Sequence, residues 1–284
     1  MASFRSALKE AQRRMEEAGY GEQAAQLYLL ELANQSHHNL YMEMDEEMSE
    51  ELSQQYQSGI RRMINGEPLG YVLGYEWFYG YRIEVNDAVL IPRPETEELV
   101  ANILAEYDEY FSGQYDVTAV DIGTGSGAIA VALKKEAPAI NMLATDISAE
   151  AIAVARRNAA KNEAVVPMLI GDMLEPLRER NMKVDILISN PPYIPQTEVM
   201  EKSVVDFEPH LALFGGANGL KYYQQIFAEC RKVLKERALL AFEMGWNQKA
   251  EMETLLKEYF PHDRYEIRKD MSGKDRMLLI YINL

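Results

Sequence analysis

The sequence predicts an α/β domain built on a mainly parallel, seven-stranded sheet, preceded by a small helical domain. Residues 3–64 repeat apolar residues at helical spacing, and from residue 117 short apolar runs alternate with helical segments. Alternating strands and helices form a parallel sheet covered on both faces, and such sheets bind ligands at the carboxyl ends of their strands. We divide the chain into a helical domain (1–66), a β-hairpin linker (67–92) and an α/β domain (93–284).

The helical domain is predicted to contain three helices. The first has Ser3 as its cap and Gly19 as its stop signal, and the second runs through residues 24–32. The third is expected to begin at Asp45, so that the acidic stretch 43–51 forms its solvated first turns at the positive end of the helix dipole.

The linker and the α/β domain follow from a change of composition at residue 67. The stretch EPLGYVLGYEWFYGYRIEV is rich in aromatic residues and predicts a hairpin that contains Gly80. Pro94 then suits the first position of a helix whose first turn is acidic. Strands are expected at 117–122, 140–146, 166–170, 184–189, 238–243, 264–269 and 277–283.

Composition restricts the partners and the compartment. The chain has 29 basic and 45 acidic residues and a net charge of −16, whereas proteins that grip nucleic acids neutralise phosphates with Lys and Arg. A direct nucleic-acid substrate is therefore not expected, and a basic protein partner is favoured. Cys230 is the single cysteine, the N-terminus has no apolar signal segment, and no apolar run reaches ~18 residues. We expect a cytoplasmic monomer with no membrane contact.

A glycine-rich turn stands between a predicted strand and a predicted helix in AVDIGTGSGAIAVAL (119–133). Its glycines allow a tight turn and a close approach to a ligand, and the spacing also fits the dinucleotide fingerprint. Asp121 lies inside the motif, and Asp146 ends the next strand, where a carboxylate accepts hydrogen bonds from ribose hydroxyls. This combination resembles the S-adenosylmethionine (SAM) site of class I methyltransferases. The predicted cofactor residues of the turn are Gly123, Thr124, Gly125, Ser126 and Gly127.

The third strand ends in GDML (171–174). Asp172 is predicted to lie near the adenine amino group, although a turn or cap role explains an acid there as well. Met173 follows this acid, and a methionine there can pack on the adenine.

The fourth strand ends in SNPPYIP (189–195), which predicts a stiff, extended loop because Asn190 and Pro191 each precede a proline. Stiffness alone explains neither Asn190 nor Tyr193. In methyltransferases this tetrapeptide resembles the Asn/Asp-Pro-Pro-aromatic motif of enzymes that methylate a planar, conjugated NH₂ group. Asn190, Pro191, Pro192 and Tyr193 are therefore the predicted catalytic residues: the Asn190 side-chain oxygen and the Pro191 carbonyl accept the two N–H bonds, and Tyr193 stacks on the flat amide.

The motif leaves open an adenine amino group or a glutamine or asparagine side-chain amide as substrate. Adenine in nucleic acid usually requires base flipping, and the acidic composition argues against it.

Three segments in this order behind a helical domain resemble the HemK/PrmC family: residues 66–100, the glycine turn and SNPPYIP. That family methylates the side-chain amide nitrogen of the glutamine in the Gly-Gly-Gln motif of class 1 peptide chain release factors. The resemblance implies that the glycine turn and Asp146 hold SAM, that residues 190–193 hold the glutamine, and that residues 1 to about 85 help to dock the release factor. A sister branch methylates a glutamine of a ribosomal protein.

Other readings have less support. A dinucleotide oxidoreductase is favoured only by the glycine fingerprint, and a non-catalytic binding module leaves SNPPYIP unexplained. Glu243 ends the fifth strand at the ligand-binding rim, where it either touches the substrate or caps the strand end. His210 and His262 lack metal-ligand spacing, and Cys230 is expected to pack in the interior, so no metal is predicted.

Overall fold

The computed structural model describes residues 2–284 and divides them into two compact units. The first extends to Tyr75 and includes Met200–Phe207, and the second comprises Glu76–Val199 and Glu208–Leu284. This division differs from the predicted one because Met200–Phe207 groups with the helical unit, where a Cβ atom on Gly66 would lie 3.4 Å from the Phe207 ring.

The first unit is helical. In residues 2–75 and 200–207 the helices are α1 (Phe4–Glu17), α2 (Gln23–Ala33), α3 (His37–Met42), α4 (Glu50–Ile64), α5 (Leu69–Leu73) and α10 (Lys202–Phe207). Helices α2 and α4 meet at the stacked rings of Tyr28 and Tyr56, whose centroids are 5.6 Å apart. Gly59 permits this approach, because a Cβ atom there would lie 2.3 Å from the Tyr28 ring.

Ser3 caps α1 by accepting a hydrogen bond from the Ser6 N–H, and Gly19 follows the helix with a φ of 82°, as predicted. The predicted start of the third long helix at Asp45 is wrong. Helix α4 begins at Glu50 because the Ser49 hydroxyl oxygen accepts from the Leu52 N–H at 3.2 Å. Asp45 instead pairs with Arg5 at 2.7 Å, so most of the acidic stretch 43–51 precedes the helix.

The hairpin is shorter than the predicted linker 67–92. Its strands are β1 (Tyr75–Phe78) and β2 (Tyr81–Glu84), and helix α5 occupies residues 69–73. Tyr79 and Gly80 both have positive φ, at 52° and 80°, which is the backbone of a type I′ hairpin turn.

The second unit contains the predicted seven-stranded sheet, and the predicted fold class is confirmed. The described sheet has the order β5-β4-β3-β6-β7-β9-β8, in which β9 is antiparallel to its neighbours. Its strands are β3 (Thr118–Ile122), β4 (Asn141–Asp146), β5 (Met168–Ile170), β6 (Val184–Ser189), β7 (Leu234–Glu243), β8 (Arg264–Lys269) and β9 (Asp275–Ile282).

Helices cover both faces of this sheet. They are α6 (Pro94–Tyr110), α7 (Ala128–Glu136), α8 (Ala149–Lys161), α9 (Glu175–Glu179), α11 (Lys221–Glu229) and α12 (Lys249–Tyr259). Alternate residues of one strand enter different cores: Ile186 packs in the core that contains Leu99 and Val131, whereas Leu187 packs in the core that contains Tyr223 and Leu256. Burial of both faces explains why β6 is apolar apart from Asp185 and its last residue, Ser189.

The chain reverses its direction of travel across the sheet at β3. From β3 it proceeds outward through β4 and β5, and it then returns to place β6 on the other side of β3. The turn after β3 and the loop after β6 therefore flank the topological switch point, which is where open α/β sheets bind ligands.

Asn158 in α8 ties the hairpin to the turn after β3. Its side chain is fully buried, accepts from the Glu84 N–H at 2.7 Å, and donates to the carbonyls of Glu84 at 2.9 Å and Ser126 at 2.8 Å. One side chain thus satisfies three backbone groups, of which the Ser126 carbonyl is bonded in a buried position and the two groups of half-buried Glu84 in partly buried ones.

We expect Asn158→Ala to lower the free energy of unfolding by about 1–3 kcal/mol, because the buried Ser126 carbonyl is left unpaired and a buried unpaired group costs about that much. Asn162→Ala is the matched control: its amide donates to the Arg82 carbonyl at 3.1 Å from a partly exposed position, where water replaces it. Urea unfolding of both variants and the parent measures the difference. Equal losses in the two variants would contradict this role for Asn158.

Candidate active site

A cavity of about 450 Å³ lies at the switch point of the sheet, in the range of ligand-binding pockets. Most of its wall consists of the turn after β3, the ends of β4 and β5, the start of the loop after β6, and the segment before α6. The lining residues used below are Arg93, Thr96, Gly123, Thr124, Gly125, Ser126, Asp146, Ile147, Asp172, Met173, Asn190 and Pro192.

The glycine turn has the backbone that the sequence predicts. Gly123 and Gly125 have φ values of 71° and 55°, and a Cβ atom on either would meet no atom within 4 Å. The glycines therefore keep the wall of the cavity open. Gly127 differs: its φ is 80°, but a Cβ atom there would lie 3.0 Å from the Cβ of Ala155. Gly127 is not part of the cavity lining in residues 2–284. Its missing side chain instead permits α7 to pack closely on α8.

Asp146 fixes the turn after β3 from the end of the neighbouring strand. Its carboxylate accepts from the Gly125 N–H at 2.8 Å and from the Ser148 N–H at 2.9 Å. Burial raises the pKa of this carboxyl, while the N–H groups of Ser148 and Gly125 oppose the rise. The Ile147 N–H also acts on this carboxylate, and since a carboxylate has about four acceptor sites, acceptor capacity remains for a ligand in the cavity that it lines.

Asp121 is the buried acid inside the glycine motif. Its side chain accepts from the Thr124 hydroxyl at 2.6 Å through Oδ2, and Oδ1 has no hydrogen-bond partner among the described residues. Burial raises the pKa of this carboxyl to about 7, with the Thr124 hydroxyl opposing and the nearby Asp146 contributing to the rise. Asp121 is outside the cavity lining in residues 2–284, whereas its partner Thr124 lines the cavity. An unpaired, buried acceptor is the kind of group that a bound donor or cation satisfies.

Asp172 and Met173 lie on the wall formed after β5, as does the exposed Ile147 after β4. Met173 has a φ of 44°, in the left-handed region that bulky residues rarely adopt. Ile147 was not singled out in the sequence, although its place directly after Asp146 is the signal that identifies it. Together these side chains offer an apolar surface with one carboxylate.

The loop after β6 contributes two of its four predicted residues to the cavity. Asn190 and Pro192 line it, whereas Pro191 and Tyr193 are outside the lining in the described part of the chain. The Tyr193 hydroxyl donates to Glu243 Oε1 at 3.1 Å, and its ring packs on the second core. The proposed contacts of Pro191 and Tyr193 with a substrate stay predictions.

The backbone after Tyr193 is anchored, so the loop is rigid beyond its prolines. The Tyr193 carbonyl accepts from Gln248 Nε2 at 3.1 Å, and Ile194 forms a bridge with Phe214. Gly219 allows this packing, since a Cβ atom there would lie 2.1 Å from the Tyr193 carbonyl oxygen.

Sequence reasoning missed two groups that build this site. Glu208 is buried, accepts from the Ile91 N–H at 3.3 Å, and forms an ion pair with Arg93, which fixes the segment before α6. Thr96 in α6 accepts from Asn190 Nδ2 at 3.2 Å and donates to Glu243 Oε2 at 2.6 Å. The segment that contains Arg93 and Thr96 was noted in the sequence only as helix-start chemistry and as a family resemblance.

These residues fit the chemistry of SAM, which carries an ammonium group, a ribose diol and an adenine. The unpaired Oδ1 of Asp121 and the remaining acceptor sites of Asp146 match the donors of the ligand, and the open glycine positions leave room for it. In residues 2–284 no group of three or more His, Cys, Asp or Glu side chains is arranged to hold a metal ion. No helix in the same range is long and apolar enough to cross a membrane. Cys230 is buried in the second core, as expected.

Comparisons with known proteins match both parts of the chain. Residues 6–74 match the family described as PrmC N-terminal domain, and residues 101–208 match the family described as Methyltransferase small domain. The chain is 40% identical over 285 residues to the release factor glutamine methyltransferase of Bacillus subtilis (strain 168), covering 100% of this chain and 99% of that protein. It is 36% identical over 280 residues to the enzyme of the same name from Staphylococcus aureus, covering 98% and 99%.

Among solved structures, a methyltransferase from Pyrococcus furiosus superposes with a TM-score of 0.52 at 18% identity, covering 71% of this chain and 89% of that chain. At this identity the likeness supports the fold alone.

We expect Asp121→Asn to raise the melting temperature more at about pH 8 than at about pH 5. The unfolded carboxyl loses its proton near pH 4, whereas the folded one keeps it until about 7. The unfolded state therefore binds fewer protons across this window, and the stability of the parent falls as the pH rises through it. Asparagine does not titrate and escapes this loss. Thermal unfolding without ligand at both pH values measures the change in melting temperature. Asp108→Asn, at an exposed position, is the control. A gain in melting temperature that is the same at both pH values would contradict a buried, titrating Asp121.

Proposed function

The chain belongs to the release factor glutamine methyltransferase family, and we propose that it methylates the side-chain amide nitrogen of the glutamine in the Gly-Gly-Gln motif of class 1 peptide chain release factors. It is a SAM-dependent methyltransferase, with S-adenosylhomocysteine as the product of the cofactor. The observation that carries the proposal is that the glycine turn and Asn190 share one cavity at the switch point.

The cofactor would be held by the turn after β3 and by three acids around it. Among the lining residues, Asp146 suits the ribose hydroxyls and Asp172 the adenine amino group, with Ile147 and Met173 packing on the base. Asp121, which is outside the lining, would meet the ammonium group through its unpaired Oδ1. When bound there, SAM supplies a methyl group on a positively charged sulfur. The acidic wall suits a cationic ligand, since opposite charge in a partly buried site is screened only weakly.

Asn190 would hold and orient the substrate amide. The lone pair of an amide nitrogen is delocalised, as the ~18–20 kcal/mol barrier to rotation shows, so the site must favour the pyramidal nitrogen of the transition state. The Asn190 side-chain oxygen and the Pro191 carbonyl accept the two N–H bonds and direct the lone pair toward the cofactor. No base has to remove a proton before attack, because water accepts it from the methylated nitrogen afterwards.

The helical unit is proposed to dock the release factor. Its match to the PrmC N-terminal domain supports a role shared with the relatives rather than with methyltransferases in general. The net charge of −16 favours a basic partner surface over a nucleic-acid substrate. We expect a monomer that acts in the cytoplasm, where release factors work.

Transfer of labelled methyl groups tests the proposed function. The full chain is incubated with labelled SAM and, separately, with a release factor, the same factor with the Gln of Gly-Gly-Gln replaced by Ala, ribosomal proteins, and DNA. Label is expected only in the release factor that retains the glutamine of its Gly-Gly-Gln motif. Label in a ribosomal protein or in DNA would identify one of the alternative substrates and contradict the proposal.

Replacing Asn190 tests its proposed role. Misplacement of a reacting atom by ~1 Å costs ~10²-fold in rate, so Asn190→Ala should slow single-turnover methylation by at least about that factor. SAM affinity should change by less than ~10-fold, because most cofactor contacts come from the ends of other strands. Asn190→Asp keeps an acceptor oxygen and should retain more activity than the alanine variant. Parent-like turnover in Asn190→Ala would show that Asn190 only shapes the strand exit.

A further inference from the structure

We infer that Thr96 and Glu243 are positioning residues for methyl transfer, which act by holding the Asn190 side chain with its carbonyl oxygen toward the substrate. The inference rests on the proposed function, because it concerns how the same site presents Asn190. It is carried by an uninterrupted row of hydrogen bonds that runs from the cavity wall into the interior of the second unit.

The row has three members and a fixed geometry. Asn190 Nδ2 lies 3.2 Å from Thr96 Oγ1, and Thr96 Oγ1 lies 2.6 Å from Glu243 Oε2. Glu243 is 2% exposed at the end of β7, so water does not substitute for these partners. Asn190 and Thr96 both line the cavity, whereas Glu243 lies behind them.

Donor and acceptor capacity sets the direction of every bond in this row. An ionised carboxylate only accepts, so the single hydroxyl proton of Thr96 must point at Glu243. The Thr96 oxygen is then left as an acceptor, and the Asn190 atom that faces it must be the NH₂ group. The Asn190 carbonyl oxygen is thereby turned away from Thr96 and is available as the acceptor that the substrate amide requires.

If Glu243 were neutral, the donor and the acceptor in each of these hydrogen bonds would no longer be fixed. A protonated carboxyl donates to Thr96, whose own proton is then free to point at the Asn190 oxygen, and the asparagine amide has no reason to keep its orientation. Four groups from three segments face this carboxylate: Glu95 and Thr96 in α6, Tyr193 in the loop after β6 and Arg276 in β9. The Tyr223 hydroxyl in α11 donates instead to the backbone carbonyl of Glu243 at 2.6 Å. Burial raises the pKa of Glu243, whereas Thr96, Arg276 and Tyr193 oppose the rise and Glu95 adds to it.

The burial of Glu243 distinguishes this reading from simple strand capping. An ionised group in the interior is costly unless its acceptor sites are occupied, and a glutamine of the same shape would satisfy the strand end without charge. Only the charged form compels Thr96 to donate. A carboxylate is therefore the group that the orientation of Asn190 requires.

Thr96→Val and Thr96→Ser separate a positioning role from packing. Valine preserves the shape of threonine but removes the hydroxyl, so kcat should fall about 10- to 100-fold, while KM and SAM affinity stay close to the parent values. Serine restores the hydroxyl and should restore most of the rate. Thr118→Val is the matched control, because Thr118 is the first residue of β3, at the amino end of the strand, and is outside the cavity lining in residues 2–284.

A double-mutant cycle with Asn190→Ala identifies the residue through which Thr96 acts. If Thr96 works only by orienting Asn190, Thr96→Val should cause no further loss of rate in the Asn190→Ala background. A loss of the same size in both backgrounds, or a parent-like rate in the single variant, would overturn the inference.

Glu243→Gln adds a readout that does not depend on Thr96 variants. The parent rate should fall toward acidic pH as Glu243 takes up a proton, and Glu243→Gln should be slow throughout with that acid limb flattened. The profile is measured with SAM saturating, so that protonation of the cofactor-site acids Asp121 and Asp146 does not limit the rate. An acid limb that then persists unchanged in Glu243→Gln, or a parent-like rate, would contradict the role of the charge. All variants are assayed with the substrate that the parent labels, so a wrong substrate assignment and a failed relay give different results.

Discussion

A buried carboxylate must be met by hydrogen-bond donors, and this requirement organises the ligand-binding edge of the sheet. Three parallel strands end in, or close to, such an acid: Asp121 in β3, Asp146 in β4 and Glu243 in β7. Each acid takes its donors from segments outside its own strand: Asp121 and Asp146 from the loops that follow the strands, and Glu243 from α6 and the loop after β6. Asp121 and Asp146 hold the glycine turn through Thr124 and Gly125, and Glu243 holds α6 and the loop after β6. The carboxylates thus fix the walls of the cavity relative to one another.

The need of carboxylates for hydrogen-bond donors also gives the two loops at the switch point different roles. Around the glycine turn, acceptor capacity is left over, at Asp121 Oδ1 and on Asp146. That surplus suits a ligand that carries positive charge and hydroxyl donors. At Asn190 the side-chain nitrogen donates to Thr96, and the side-chain oxygen is left for the substrate. The wall formed by the glycine turn is therefore suited to bind the cofactor, and the wall that contains Asn190 is suited to orient the substrate amide.

The sequence predicted the elements that depend on local pattern. Alternation of strands and helices placed all seven strands of the sheet, and the glycine turn, Asp146 and Asn190 were found because each follows a strand that leads to the binding edge. The local pattern predicted the wrong start for α4, because the Ser49 side chain caps the helix and it begins at Glu50 instead of Asp45. Pairings across long sequence separations could not be predicted at all. Thr96 and Glu243 are separated by 147 positions in the sequence, and Arg93 and Glu208 by 115. No pattern of sequence spacing therefore predicts either pair.

The orientation of the Asn190 amide can be observed directly by neutron diffraction, because X-ray maps at ordinary resolution do not distinguish the oxygen from the nitrogen of an amide. The crystal would contain the full chain, S-adenosylhomocysteine and a peptide with the Gly-Gly-Gln motif, exchanged into heavy water. We predict two deuterons on the Asn190 atom that faces Thr96, one deuteron on the Thr96 hydroxyl pointing at an ionised Glu243, and a bare Asn190 oxygen facing the glutamine amide. Deuterons on the Asn190 atom that faces the glutamine would contradict the account.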